Sequence, residues 1–494
     1  RPRRAARRKA SLQRCGARGE LKHGAYACAR AALGGEDAPA KPAPAAPATQ
    51  STSQSDAPAK ARWLMVSLVA TAYVVWTMCK VNMSVAILPI SAEYGLDPPQ
   101  VGLVQGSLFW GYAASQVPGG FLATRYGGKR VLLSAVAAWS VMTLAAPWAA
   151  ATSLEALVAS RVLVGLGEGL APPAGARVLA TWMPEAERSR AVAVLGSGSK
   201  LGNIIALVVA PQVIAAYGWP AVFYVFGFLG LAWGAVWAVL GEDREPCGPE
   251  ACAADEPPLD EPAARAADAP VPWSRILSSP PVWGIFGAHF GNNWGMFGLL
   301  TWMPSYLNKE LGFDLQGSAF LTVVPSAFGI VCAALAGSLA DKLRSDGWAL
   351  TDVRKVSQSI AFVVPAVCLG LLGSGSVGAD GPGVPIGLLV LAVGAGSFSY
   401  AGLYSSHIDL NAKYAGIVNG LSTTVGALAG TCANLYCGNT LASASWAEAL
   451  FVPSVACYAV GLVMYASLYD AAPLDWDAEP DQDPAGPPSA RLGG

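Results

Sequence analysis

The stretch Gly120–Arg130, GFLATRYGGKR, returns in altered form at Gly337–Ser345 as GSLADKLRS. Each copy is a short polar joint between two long apolar runs, and each holds the same place in its own half of the chain. A second echo runs alongside it. Gly196 and Gly202 are matched by Gly420 and Gly426, with the same spacing and nearly the same offset between halves. A repeat of this kind is how many secondary transporters build two bundles that rock about a central site.

Outward from these joints, apolar runs recur from Leu64 to Tyr469, and twelve are counted: 64–90, 101–124, 131–150, 154–177, 190–216, 220–241, 281–307, 317–340, 355–373, 384–406, 414–438 and 446–469. Each is long enough to cross roughly 30 Å of hydrocarbon as a helix rising 1.5 Å per residue. The predicted fold is therefore an all-α membrane protein, twelve transmembrane helices in two pseudo-symmetric six-helix bundles. Composition agrees: 53% of residues are hydrophobic and 13% charged, whereas a soluble domain carries about a quarter charged. With 32 basic against 33 acidic residues, no nucleic-acid partner is expected.

The basic residues Arg125, Lys129, Arg130, Arg188, Arg190, Lys342, Arg344, Arg354, Lys355 and Lys413 all fall in loops on one side. The opposite loops hold little beyond Lys309. An even number of crossings follows, with both termini and the central loop on the basic side.

The pattern divides the chain into five parts. Residues 1–62 form an Arg- and Ala-rich leader (Arg1, Arg3, Arg4, Arg7, Arg8, Lys9, Arg14, Arg18) that passes into a Pro/Ala/Ser/Thr stretch. This is organelle-targeting composition without the apolar centre of a secretory signal. The chain lacks an initiator Met, and an upstream piece is expected. Residues 63–241 are the first bundle, 242–280 an acidic Pro/Ala-rich central loop, 281–470 the second bundle and 471–494 a polar tail that cannot bury a core. Ten cysteines show no repeating spacing. Those in apolar runs, such as Cys332, Cys368, Cys432 and Cys457, read as small core residues. Cys247 and Cys252 lack the further ligands a metal needs. No metal, cofactor or covalent chemistry is expected: no helix carries paired Asp residues, a Ser/His dyad or a metal cluster. GLGEGLAPPAG at 165–175 lies inside an apolar helix and follows no strand, which excludes a dinucleotide loop.

Charges inside hydrocarbon cost roughly 2.5–3.5 kcal/mol each on insertion scales and mark function by default. Lys80 lies in the first helix, and Arg161 and Glu168 lie two turns apart on the fourth. Lys80 and Arg161 are read as facing one cavity and attracting an anion, since a phosphate or carboxylate needs donors and positive charge. Glu168 is the carboxylate that answers a coupling ion, sodium or proton. The competing reading is an Arg161–Glu168 pair that only fixes packing. In the second half His289, Asn292 and Asn293, with Tyr404, are candidate substrate ligands; Ser405 and His407 lie beside Tyr404. Trp110, Trp139, Trp182 and Trp302 read as interfacial or packing aromatics. The doubled joint, with Gly120, Arg125, Gly127, Lys129, Arg130, Gly337, Asp341 and Lys342, reads as a gating latch that pairs in one conformation only, or as topology alone.

The doubled joint over twelve helices resembles the major facilitator superfamily. Thr124 departs from the acid usual there, whereas Asp341 keeps it. NMSVAILP, FWGYAASQVPGG, GEG with WMP-E-x-x-R-S-R at 167–190, HF-x-x-NWG-x-F and GLYSSHIDL-x-x-K-YAG resemble the anion/cation symporter family of sialin, vesicular glutamate transporters and the plant phosphate transporter 4 group. VGLVQGSLFWGY, HFGNNWGMFGLLTWMPSY and TDVRKVSQSIAF resemble its plant plastid branch. The resemblance, over residues 64–470, places the family's first-helix Arg at Lys80, a departure that keeps charge but loses the bidentate fork. It places the fourth-helix Arg and Glu at Arg161 and Glu168. A seventh-helix His of sialin-like members falls at His289, and an Arg of the glutamate carriers falls at Asn292, which disfavours glutamate. It implies a transporter of inorganic phosphate in a plastid membrane, with ascorbate or another organic anion as the alternative cargo; the sequence does not reveal the oligomeric state, and a monomer is the expectation. A receptor with a transporter fold but no flux is the rival of a different class.

Overall fold

The structure is a computed structural model, and it describes residues 59–243, 271–377, 381–411 and 414–477. Most of the leader 1–62 and central loop 242–280, the end of the tail 471–494, Cys247, Cys252 and Lys413 lie outside the described residues. The first half comprises α1 (Ala59–Tyr94), α2 (Pro98–Tyr126), α3 (Gly128–Thr152), α4 (Leu154–Trp182), α5 (Glu185–Tyr217) and α6 (Trp219–Leu240). After a short helical turn at Trp273–Ser278, the second half comprises α7 (Pro280–Lys309), α8 (Leu315–Ser345), α9 (Leu350–Gly373), α10 (Gly383–Gly396), α11 (Leu403–Leu410), α12 (Ala415–Thr440) and α13 (Val452–Leu468). Eight of the membrane segments are long and contain an apolar stretch sufficient to cross a membrane. The other four, α2, α4, α7 and α12, are diluted by the Gly, Asn, Gln and charged residues that face inward.

Tight turns set the helix ends. Asp97 caps α2 by accepting from the Gln100 N–H at 2.8 Å while Gln100 returns a bond to the Asp97 N–H at 3.0 Å, with Pro98 in the first turn where its missing N–H costs nothing. Gly127, at φ +87°, turns α2 into α3, a backbone region that side chains disfavour. Asp243 closes this corner by accepting the Lys129 N–H at 2.7 Å.

The predicted tenth helix, 384–406, is broken. α10 gives way to a 3₁₀ turn at Ser397–Tyr400 and restarts as α11. The Gly394, Gly396 and Gly402 run weakens the helix there. The amide oxygen of Gln358, from α9, accepts the freed Leu403 N–H at 3.0 Å, so the break costs no unsatisfied donor. The twelfth segment opens with a π turn at Ala447–Phe451, just before Pro453, which cannot donate to a regular helix.

Close backbone contact builds the first bundle. A Cβ at Gly111 would meet the Val162 carbonyl at 2.0 Å, and one at Gly165 the Leu108 carbonyl at 1.9 Å. Glycine is therefore required where α2 crosses α4, as small-residue interfaces in membranes demand. The Gly echo is also structural. Gly202 lies on the Val74 carbonyl of α1, and Gly426 lies on Asn293 and His289 of α7. Cys332 and Cys368 are buried, as expected of small core residues, whereas Cys432 is exposed.

The halves meet at the end away from the basic loops. There Gly102 of α2 touches the Asn434 carbonyl, and Gly438 of α12 touches the Pro98 carbonyl. A single buried apolar cluster runs from the second half into Ile87, Ile90, Val101, Leu157 and Phe223 of the first. At the basic end a Cβ at Gly120, Gly196, Gly337, Gly416 or Gly420 would meet no atom within 4 Å. The described halves are thus in backbone contact at one face, and these glycines of the basic end border open space.

Candidate functional site

Because Gly165 and Gly169 press α4 against α2 and Gly167 presses it against α3, the remaining face of α4 is fixed. Arg161 and Glu168 occupy that face, toward α1. Lys80 reaches Glu168 at 3.6 Å, an ion pair too long for a hydrogen bond. Its ammonium sits between two aromatic faces, 4.2 Å from the Trp76 ring centroid and 4.3 Å from that of Tyr112. These rings are stacked 6.4 Å apart, a spacing that admits one cation and holds it by the ring quadrupoles.

Arg161 is 2% exposed, and its Nε and Nη1 have no hydrogen-bond partner. It makes no ion pair with Glu168. Instead of the packing pair within α4, the ion pair of Glu168 is with Lys80 of α1. Lys80 and Arg161 line one cavity of about 20 Å³ together with Ser84, Gln105, Phe109 and Thr301. That volume holds a single water. Phe109 of α2 and Phe297 of α7 meet at 4.4 Å and join the halves beside it.

The second-half candidates gather in a separate network. Asn292 donates to Asn293 at 3.1 Å and to the Tyr404 hydroxyl at 3.4 Å, and it accepts from Ser399 at 2.7 Å. His289 is bonded to Ser422 at 2.5 Å, with the Tyr404 ring edge-on at 5.4 Å. These groups satisfy one another, unlike Arg161.

The joint residues behave unequally. In the first copy Asp243 engages the backbone of Lys129, and the Arg125 guanidinium lies 5.5 Å from the Tyr126 ring. In the second copy Asp341 and Lys342 are exposed. Among the described residues, the ion pairs on this side are Arg62 with Glu187 at 3.4 Å and Arg354 with Asp409 at 2.7 Å, the latter supported by Arg354 donating to the Ala401 carbonyl and by the Tyr469 hydroxyl. Trp139 and Trp302 are buried, and Trp182 donates to the Glu242 carbonyl.

Trp76, Tyr112 and Gln105 were not legible as site residues, since each looks like an ordinary member of an apolar helix. Gln105 is 3% exposed and both its amide atoms lack partners. An amide within the apolar run 101–124 was the available signal.

Two bundles, closed at one face around buried cations, define a membrane transporter, not an enzyme. The Major Facilitator Superfamily profile matches residues 64–433, and the chain belongs to that superfamily. It is 41% identical over 406 residues to the sodium-dependent phosphate transport protein 1, chloroplastic, of Arabidopsis thaliana, covering 82% of this chain and 78% of that one. It is 40% identical over 405 residues to an Arabidopsis thaliana protein named ascorbate transporter, chloroplastic, with 82% and 74% covered. The rice (Oryza sativa subsp. japonica) probable anion transporter 4, chloroplastic, is 41% identical over 410 residues, with 82% and 68% covered. Among solved structures, a D-xylose–proton symporter superposes with a TM-score of 0.66 at 17% identity, covering 83% of this chain and 98% of that one. A bacterial homologue of the human lysosomal transporter Spinster, inward-facing and occupied, gives 0.63 at 17%, with 83% and 96% covered.

Proposed function

We propose that the chain is a secondary active transporter of small anions, inorganic phosphate first, in a plastid membrane, and that it works by alternating access between its two bundles. The observation that carries this reading is Arg161, a buried guanidinium without an anionic partner, in one cavity with Lys80. A buried cation left unpaired is costly, and a bound oxyanion supplies the partner. Relatives named for phosphate and anion transport support the cargo, and their chloroplastic names support the location.

Lys80 is the moving part. The cavity is too small for an oxyanion while Lys80 leans on Glu168, so the ammonium swings from Glu168 to the arriving anion. Glu168 then takes up a proton or sodium ion, which links the two fluxes. Phe109 and Phe297 close the path beyond the site. His289, Asn292, Asn293 and Tyr404 form the facing wall that approaches as the bundles rock. The joints at Gly120–Arg130 and Gly337–Ser345 act as the latch. Residues 1–62 serve as the leader and 63–241 and 281–470 as the bundles; where described, the central loop and the tail pack together, Arg275 donating to the Trp476 carbonyl and the buried Trp476 donating to Ser279.

The test is radiolabelled phosphate uptake into proteoliposomes under imposed proton, sodium and voltage gradients. Arg161→Ala is expected to abolish saturable uptake in correctly inserted protein; unchanged uptake would sink the assignment. The similarity to a protein named for ascorbate, with the hydroxyl and amides of the second-half wall, favours an organic anion as the second reading. Labelled ascorbate uptake without phosphate uptake would select it.

A further inference from the structure

α5 carries an intramembrane cation that the central cluster does not use. Lys200 stands about 22 Å along α5 from its basic end, at 1.5 Å per residue. Gly198 and Gly202, on either side of it, lie against the Ala70 and Val74 carbonyls of α1. Lys200 is therefore level with the middle of that stretch, about 12 Å on the basic side of Lys80. Among the described residues it has no ion pair. An unneutralised charge at this depth is kept only where it faces water or a ligand.

The side chain reaches across the gap between the halves. Its Nζ lies 5.5 Å from the Tyr400 ring centroid, near the outer limit of a cation–π contact. Tyr400 stacks on Tyr404 at 5.3 Å, and Tyr404 is tied to Asn292. One turn nearer the basic end, Gly196 borders open space, as do Gly416 and Gly420. Lys200 thus stands at the inner end of the open region, with a weak contact that an anion can displace and two phenols opposite.

We propose that Lys200, facing Tyr400 and Tyr404, is an outer anion site that binds a small oxyanion on its way from the basic face to Lys80 and Arg161. This rests on the anion-transport reading above. A site on one approach lowers the concentration needed from that side; detailed balance carries the same gain in V/KM to the opposite direction, where it shows in the saturated rate and not in KM.

The experiment is sided phosphate transport in oriented proteoliposomes. Lys200→Gln is expected to raise KM at the basic face roughly tenfold, as loss of one charge-assisted contact does. The saturated rate from the basic face and the KM at the opposite face stay unchanged, the saturated rate from the opposite face falls by the same factor, as detailed balance requires, and Lys200→Arg restores the wild-type values. A KM unchanged at the basic face, a KM raised equally at both faces, or an Arg variant as impaired as Gln overturns the site. A second measurement needs no variant: phosphate is expected to slow amine acylation of Lys200 in wild-type protein, read by peptide mass spectrometry. Unaltered labelling in a protein that carries phosphate overturns this site alone. Wild-type protein that neither carries phosphate nor shows protection removes the anion reading as well.

Discussion

At the scale of single residues, the site separates two kinds of cation. Lys80 has an alternative partner in Glu168 and a cage in Trp76 and Tyr112, whereas Arg161 has neither. Lys80 makes this contact while it leans on Glu168, so removing one wall with Trp76→Leu is expected to release it toward the anion and to lower the phosphate KM by up to roughly thirtyfold, about 2 kcal/mol; an unchanged KM would show that the ring only fills space. Glu168→Gln frees Lys80 but cannot answer the ion. The expected result is that gradient-driven accumulation stops while phosphate–phosphate exchange continues, and accumulation retained in this variant would remove Glu168 from coupling. Lys80, Arg161 and Glu168 were legible because charge inside an apolar run is conspicuous. Lys200 carries the same signal within 190–216, set among small residues. Trp76, Tyr112 and Gln105 were not legible, because an aromatic or amide acquires its role only from what faces it.

At the scale of elements, glycine decides where the charges point. Gly165→Val forces a side chain into the Leu108 carbonyl and is expected to lower stability in detergent by about 1–3 kcal/mol, seen as a reduced unfolding midpoint. A midpoint equal to wild type would mean that α2 and α4 can separate freely. Arg354 and Asp409 tie the start of α9 to the end of α11. A double-mutant cycle with Arg354→Met and Asp409→Asn should return a coupling of about 0.5–3 kcal/mol, and additive effects would reduce the pair to surface decoration. The helix count and the repeat were readable from apolar length and from the doubled joint. The break in the tenth segment was not, since α10 and α11 read as one apolar run and the rescue by Gln358 comes from another helix.

At the scale of the molecule, the closed face is a seam of backbone contacts between α2 and α12. A cross-link between Gly106→Cys and Asn434→Cys, whose Cβ atoms would lie 3.4 Å apart across this seam, is expected to stop transport and to release it on reduction; a cross-linked protein that still transports would mean that this face does not open. The apolar cluster continuous across the seam also makes the two orientations of the empty carrier unequal in free energy. A carrier that rests open to one compartment offers the other only its minority conformer, and apparent affinity falls in proportion to that fraction. The expected result is an asymmetric carrier: with no gradient imposed, the half-saturation constants measured from the two compartments differ, the saturated rates differ in the same ratio, and the smaller constant belongs to the side bearing the arginines and lysines.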